Sequence, residues 1–455
     1  MPDAPATAAE FSDALETFRA RHPEVEAVEV FVTDLNGLAR GKLMPASALD
    51  KIGAGGLRMP VSTLGLDIFG ADVPENGIAI ERGDPDGPLV PVPATLAAMP
   101  WARGRGQLQC MLAEPDGTVA AYDPRGVLDR VAARAAGMGL APVMALELEF
   151  FLVDPGEAAP PRDPATGARL ARAQIYDMEV MGKFEPVLAE IRRAAEAIGA
   201  PAEGAICEFG PGQFEMNLRH VADPLAAADH MIGLKRAIRG VARRHGLDAS
   251  FMPKPYGEEA GSGPHVHLSL LDREGRNVFA GDGPGPNEAL GAALAGLIAT
   301  MPESMLIFSP HLNGYRRFAP GSYAPLTAAW GLDNRGVALR VPETRGMAAR
   351  LEHRVAGSDA NPYLLAAAVL AGALAGLEAG EAPPPPLGTE AGPEDGAALP
   401  LDRLTAERAF AGSAFAADWL GRAFRDVFAG LKRQERATMM TRVSDVEHEA
   451  YLRIV

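Results

Sequence analysis

Apolar residues recur at helical spacing near the start of the chain. Phe11, Leu15 and Phe18 in AAEFSDALETFRAR predict one amphipathic helix over 8–21. From Val25 the period shortens to two. EVEAVEVFVTDLNGLARGKLMP alternates β-branched and polar positions around Asn36-Gly37, a pair suited to a hairpin turn. ERGDPDGPLVPVP (81–93) holds too much glycine and proline for a helix. Residues 1–23 therefore read as an N-terminal helix, 24–113 as a small, mainly β domain, and 114–455 as a larger domain mixing helices and strands.

In the larger part, Asp123-Pro124 opens a helix to about Gly137, with Asp as cap and Pro in the first turn. Helical patterns follow at 183–199, 223–245, 287–300, 361–379 and 404–432. Between them, four segments read as strands: MALELEFFLV (144–153), ICEFGPGQFEMNL (206–218), GSGPHVHLSL (261–270) and RLEHRV (350–355). The class expected is α+β. EAPPPPLGTEAGPEDGAAL (381–399) reads as a flexible surface excursion. The final SDVEHEAYLRIV reads as a capped short helix that packs rather than functions.

Composition narrows the setting. Hydrophobic residues make up 47 %, but no run approaches ~20 uninterrupted apolar residues, so no membrane span is expected. The first residues lack the basic start and apolar run of a secretory signal. Two cysteines, Cys110 and Cys207, make no disulfide framework and suit a reducing cytoplasm. A formal net charge of −16 argues against nucleic acid as a partner.

The polar positions of the four strands carry the chemistry. Residues two apart on a strand share a face, about 6.6 Å apart at ~3.3 Å rise. Glu147 and Glu149 thus project together, opposite Leu146, Leu148 and Phe150. Glu208 and Glu215 bracket a Phe-Gly-Pro-Gly-Gln-Phe turn. His265 and His267 flank Val266 behind Gly-Ser-Gly, and Arg350, Glu352 and Arg354 alternate with apolar residues and His353. Each motif alone also describes a solvated hairpin, a structural histidine pair or an ordinary polar strand face. Together, Glu147, Glu149, Glu208, Glu215, His265 and Glu352 look like a two-metal site. Five carboxylates are very costly to bury unless cations neutralise them. Oxygen ligands with one imidazole suit Mg²⁺ or Mn²⁺. Arg316, Arg317, Arg335, Arg340 and Arg354 offer planar forks for carboxylate and phosphate oxygens. The combination fits phosphoryl transfer from a metal-bound nucleotide. No P-loop or kinase-type glycine loop is present, so the phosphate site must be of another kind.

In chain order the motifs are E-x-E, E-F-G-P-G-Q-F-E, G-S-G-P-H-V-H-L-S, N-G-Y-R-R-F-A-P-G, D-N-R-G-V-A-L-R-V-P, and R-L-E-H-R with N-P-Y-L. This ordered set closely resembles the glutamine synthetase family over nearly the whole chain. The resemblance implies a β-grasp-like N-terminal domain and a catalytic domain with an antiparallel curved sheet surrounded by helices. It implies that Glu149, Glu208 and Glu215 hold a metal on the substrate side, and Glu147, His265 and Glu352 one on the nucleotide side. Glu149, Gly261, Arg317 and Arg354 match positions at the glutamate substrate. Glu203, His267, Ser269, Arg335, Arg340 and Arg350 match positions at ATP or the transferred phosphoryl group. Arg317, Arg335 and Tyr323 are expected closest to the reaction. In such a reaction glutamate is activated as γ-glutamyl phosphate at the expense of ATP, and an amine then displaces phosphate. The family also implies a cytoplasmic dodecamer of two hexameric rings, with sites shared between neighbours.

The departures concern the amine. Glutamine-forming members carry P-G-Y-E-A-P, whose acid helps bind ammonium; here the segment is Pro320-Gly321-Ser322-Tyr323-Ala324-Pro325. Their F-D-G-S-S is replaced by Met59-Pro60-Val61-Ser62-Thr63, and the Asn before G-S-G by Ala260. This pattern resembles the γ-glutamylpolyamine synthetase branch, which joins glutamate to putrescine or related amines. Ligation of a monoamine such as methylamine or ethanolamine, and ordinary glutamine synthesis, are the alternatives within the family; a non-catalytic scaffold is the alternative outside it. Members switched by adenylylation carry a tyrosine in the loop after N-P-Y-L; residues 381–399 contain none, so that control is not expected.

Overall fold

The first helix forms over Ala8–Arg21 and buries Phe11, Leu15 and Phe18 against the sheet that follows. The computed structural model describes residues 8–388 and 395–455. Strands β1 (Ala27–Thr33) and β2 (Ala39–Pro45) form the expected hairpin, with Gly37 at φ 76° in its turn. They join β3 (Arg58–Pro60), β4 (Asp86–Pro91), β5 (Ala97–Ala98) and β6 (Arg105–Leu112) in one sheet of order β2-β1-β6-β4-β3, with β5 on β6. Within it β1 and β6 run parallel.

A second, eight-stranded sheet has the order β13-β14-β15-β11-β7-β9-β8. Its members are β7 (Ala141–Val153), β8 (Ala202–Cys207), β9 (Gln213–Leu218), β11 (Val266–Leu271), β13 (Trp330–Leu332), β14 (Leu339–Glu343) and β15 (Arg350–His353). The short β10 (Asp248–Ser250) pairs with the far end of β7. The sheet is antiparallel as expected except for β13 and β14, which run parallel. A last pair, β12 (Thr327–Ala328) with β16 (Ala397–Ala398), stands apart.

Helices Pro124–Gly137, Met178–Ala197, Pro224–Arg244, Glu288–Phe308 and Pro362–Ala379 correspond to the periodic segments; Asp123 caps the first as expected, and Asp177, Asp223, Asn287 and Asn361 cap the others. The segment 287–300 continues to Phe308 through Pro302, because both sides of the proline are held in the core. The segment 404–432 is not one helix. It divides into Arg403–Ala411, a wider-wound turn at Ala416–Gly421 and Arg422–Met440. Ser413 caps the second piece by accepting from the Ala416 amide, and Gly421 at φ 103° starts the third. The apolar period does not reveal these breaks because Phe410, Phe424 and Phe428 from different pieces pack into one cluster.

Two other expectations change. Residues 381–388 are not a free excursion: the Trp330 indole donates to Pro384 O at 2.7 Å, and the Leu387 amide to Trp330 O at 2.8 Å. Residues 389–394 of that stretch lie outside the described residues, as do residues 1–7, and its end pairs with β12 through β16. The C-terminal helix Asp445–Tyr451 has its capping box at Ser444 but buries nothing, and Ile454 is 78 % exposed. Both cysteines are free and buried.

Helices Glu288–Phe308 and Pro362–Ala379 are each long and apolar enough to cross a membrane, yet most of each is buried inside the fold. They pack against one another through glycine. A Cβ on Gly376 would lie 2.0 Å from Ala292 O, and one on Gly296 would lie 2.3 Å from Gly372 O, so the two backbones touch. Alanine is the better helix former by ~1 kcal/mol, but forcing apart a packed contact costs about 1–3 kcal/mol. Gly376→Ala is therefore expected to lower the thermal midpoint at fixed scan rate. An equal or higher midpoint would show that the close approach does not govern this packing.

Candidate active site

Strand register brings the polar residues together. Leu146, Leu148, Phe150, Val266, Leu268 and Leu351 are fully buried on one face of the large sheet, so alternation forces their neighbours onto the other. Glu149 on β7 pairs with Glu215 on β9. His267 on β11 pairs with Glu352 on β15, which pairs in turn with Arg340 on β14. Two of the six expected ligands are not on strands. Glu208 stands just after β8, where a tight turn through Gly212 (φ 78°) folds it back, its amide donating to Gln213 O at 3.0 Å. His265 stands just before β11, and its carbonyl accepts from the Glu147 amide at 3.0 Å. The segments 206–218 and 261–270 thus hold shorter strands than their sequence pattern predicts, because Gly and Pro end them.

Glu147 is the centre of the cluster. Its two oxygens lie 2.9 Å from His265 Nδ1 and 2.9 Å from His267 Nε2. His265 Nδ1 is also 3.8 Å from Glu352, and its Nε2 is 3.9 Å from Glu149. Ligand atoms of Glu147, His267 and Glu352 lie within 4.8 Å of one another, as do those of Glu147, Glu215 and His265. His267, expected at the nucleotide, is therefore as close to the carboxylates as His265 is. Glu352 is 1 % exposed and receives Arg340 Nη1 at 2.6 Å together with Arg354 Nη1.

The charges are unevenly balanced. Burial raises the Glu352 pKa, but His265, Arg354 and His267 outweigh it and hold the carboxyl down at about 2. Burial acts the same way on Glu147 and is likewise overcome, here by hydrogen bonds from His265 and His267. On the other side the compensation is too weak: Arg335 and Arg354 act on Glu208, and a hydrogen bond with Asn217 acts on Glu215, without outweighing burial and the neighbouring acids. Burial and the charge of Glu149 push Glu208 up to about 7, and burial with Glu147, Glu149 and Glu208 pushes Glu215 higher still. Carboxyls forced to keep a proton by their neighbours are what a cation site leaves behind when it is read without the cation, so the donor set fits divalent metal.

The remaining candidates surround this cluster to different degrees. Arg317 is buried, and a Cβ on Gly261 would strike its side chain at 2.7 Å, so the glycine makes room for it. Arg335 lies exposed in the β13–β14 turn, where its charge is felt at Glu208. Arg350 donates to His267 Nδ1 at 3.3 Å, and Ser269 is buried on β11. Glu203 is exposed and ion-paired with Arg219 at 3.5 Å; it meets the cluster only through its field at His220, whose ring lies 5.6 Å from His267. Tyr323 is 65 % exposed, its ring 5.9 Å from that of Phe209, the residue after Glu208. Segment 59–63 stays within the N-terminal sheet, with Ser62 donating to Asp84 at 2.7 Å. Sequence reasoning missed Gln213. Its amide donates to Gly261 O at 3.0 Å and Ser262 Oγ at 3.1 Å and reaches Glu149 at 3.3 Å, clamping the two ends of the site. It sits inside the E-F-G-P-G-Q-F-E motif, but no spacing discloses a contact 48 residues away.

The family model for the glutamine synthetase catalytic domain matches residues 121–451. A gamma-glutamylputrescine synthetase of Escherichia coli (strain K12) is 42 % identical over 81 % of this chain and 79 % of its own. A glutamate–isopropylamine ligase of a Pseudomonas species is 33 % identical over 78 % of each. A solved complex of GmaS with ADP superposes with a TM-score of 0.84 at 31 % identity, covering 99 % of this chain and 100 % of that one.

The raised carboxyls make stability depend on pH. Glu208 and Glu215 hold protons in the folded, metal-free protein that the unfolded chain has already lost above its ordinary value of 4.5, so folding is weakened as pH rises toward their folded values. In chelator, Glu215→Gln is expected to raise the thermal midpoint, by more at about pH 8 than at about pH 5.5. Saturating Mg²⁺ should raise the parent's midpoint more than the variant's. A midpoint lowered equally at both pH values would contradict this charge balance.

Proposed function

The chain belongs to the glutamine synthetase family of carbon–nitrogen ligases, and on that premise we propose that it joins L-glutamate to an alkylamine larger than ammonia, with ATP converted to ADP and phosphate. A diamine or polyamine such as putrescine is the amine this reading favours. The observation that carries it is Tyr323. Where glutamine-forming members keep an acid for ammonium, this chain presents an exposed aromatic ring beside Phe209. Two aromatic surfaces favour a cation that carries methylenes over a small hydrated one. The amines named for the two relatives above, putrescine and isopropylamine, agree with that preference.

In this reading Glu147, Glu149, Glu208, Glu215, His265 and Glu352, with His267 close by, hold two or more Mg²⁺ or Mn²⁺ ions. Ions held there would supply positive charge to neutralise phosphate oxygens during phosphoryl transfer. The protein's own groups do the rest. Arg317, Arg354 and Glu149 with the Gly261 backbone receive glutamate. Arg335, Arg340, Arg350, His267 and Ser269, with Glu203 at the rim, face the nucleotide. A γ-carboxylate oxygen of glutamate forms a bond to the γ-phosphorus as ADP leaves. The amine nitrogen then attacks the acyl carbon, loses a proton and expels phosphate. A bare carboxylate would not release its oxygen, which is why phosphorylation comes first. The family's double hexameric ring, with segment 59–63 facing a neighbour's site, belongs to the same proposal.

The amine preference is directly measurable. A charge-assisted contact contributes about 1.5–3 kcal/mol and a buried methylene ~0.8 kcal/mol. Losing the first and gaining several of the second should raise kcat/KM at least about tenfold from ammonium to putrescine, which needs only ~1.4 kcal/mol. Tyr323→Glu should narrow that ratio, and Phe209→Ala should lower putrescine use without aiding ammonium. A parent enzyme that used ammonium as efficiently as any amine on a panel, read by ADP release, would overturn the reading; best turnover with a monoamine would revise only the chain length.

A further inference from the structure

Arg317 is 6 % exposed, and its guanidinium makes one hydrogen bond among the described residues, Nη1 to Val355 O at 3.1 Å. A buried guanidinium held by one carbonyl is free to turn away from a substrate unless something else fixes it. The candidate lies across Gly357. The place a Cβ would take on that glycine is 2.6 Å from Asp359 Oδ1 and 3.5 Å from Arg317 Nη1, so the two charged ends approach each other over a residue that has no side chain to separate them. Asp359 Oδ1 is buried and has no hydrogen-bond partner among the described residues. At that proximity two opposite charges attract strongly in a buried site of low local dielectric.

Asp359 is itself held from behind. Its Oδ2 lies 2.7 Å from His311 Nδ1. With that nitrogen carrying the proton, Nε2 is left to accept from Lys432 Nζ at 3.4 Å. Lys432 is fully buried, bonds Asn36 Oδ1, and pairs with Glu435 at 3.0 Å. Glu435 in turn accepts from Asn36 Nδ2 and the Ile68 amide, both at 3.0 Å. The chain of contacts thus runs from the β1–β2 turn and the Ile68 loop, through helix Arg422–Met440, to the floor of the site. The segment carrying Asp359 is also tied to the cluster strands, since Ser358 Oγ donates to Glu149 O at 2.7 Å.

We propose that Asp359, oriented by His311, is the positioning residue that aims Arg317 at the carboxylate of the amino-acid substrate. It couples that pocket to the N-terminal sheet. The proposal rests on Arg317 being a glutamate-binding group. Asp359 touches no reacting atom; it acts through Arg317 alone. Burial opposes the Arg317 charge, and Glu149 and Asp359 are the groups that support it, which agrees with this role.

The test uses the full-length enzyme. Asp359→Asn keeps an oxygen for His311 but removes the charge that faces Arg317. Expected is a rise of at least about tenfold in the KM and calorimetric Kd for L-glutamate, with the KM values for MgATP and the amine within about threefold of the parent. His311→Leu should move glutamate affinity the same way, and His311→Gln, which still donates to Asp359, should restore part of it. Arg317→Lys separates the two levels of inference. If it weakens glutamate binding while Asp359→Asn does not, the positioning role is wrong and the ligase reading stands. If Arg317→Lys itself leaves glutamate binding unchanged, the assignment of Arg317 fails and takes this proposal with it. Equal losses for all three substrates together with a lower thermal midpoint would mark Asp359 as merely structural and also overturn the proposal. Should Asp359→Asn fail to fold, the His311 pair decides by the same criteria.

Discussion

Five carboxylates gathered on one sheet face repel one another, and the fold is arranged to hold them there regardless. Each of the other faces of β7, β11 and β15 is locked into the core by leucine, valine and phenylalanine, so the acids cannot turn away from one another. Protein cations meet only part of the demand. Arg340 and Arg354 both serve Glu352, and the two histidines both serve Glu147. Glu208 and Glu215 are left to protonate. A site that is neutral on one side and starved of positive charge on the other is built to be completed by something that arrives.

That demand explains why so much rigid structure lies beneath the site. Shifting a strand by one residue would exchange acids for leucines along the whole sheet. The glycine-lined contact between helices Glu288–Phe308 and Pro362–Ala379 gives the sheet a stiff backing, and the latter helix also ties into Asp229 and Gln109 through the buried Tyr363 hydroxyl. The rim is less constrained by packing, with Tyr323, Phe209 and Arg335 exposed on turns. The division suits the proposed reaction, in which phosphoryl transfer needs fixed charges and the amine is received at an open rim.

Much of this was legible in the residues. Alternation in MALELEFFLV and RLEHRV gave both the strands and the side of the sheet on which Glu147, Glu149 and Glu352 stand. Period-two patterns fail at chain reversals, which is why Glu208 and His265 were placed on strands although Gly and Pro put them in turns. The break of 404–432 stays hidden because an apolar stripe can run across separate helical pieces when the first and last share one aromatic cluster. Gln213, and the Asp359–His311 contact, were invisible for another reason: their meaning depends on partners 48 residues away in each case, and no local pattern encodes that. In the sequence Tyr323 stands out only as a departure from an acid, while its neighbour Phe209 comes beside it only through the fold.

The central claim is that the unneutralised acids are a site for two divalent cations. Counting Mn²⁺ per chain by electron paramagnetic resonance during equilibrium titration of the full-length protein tests it without requiring turnover. The account predicts at least two bound Mn²⁺ per chain, with the number falling when Glu215 or Glu352 is replaced by alanine. No more than one bound ion in the unmodified protein, or a count indifferent to both substitutions, would contradict it.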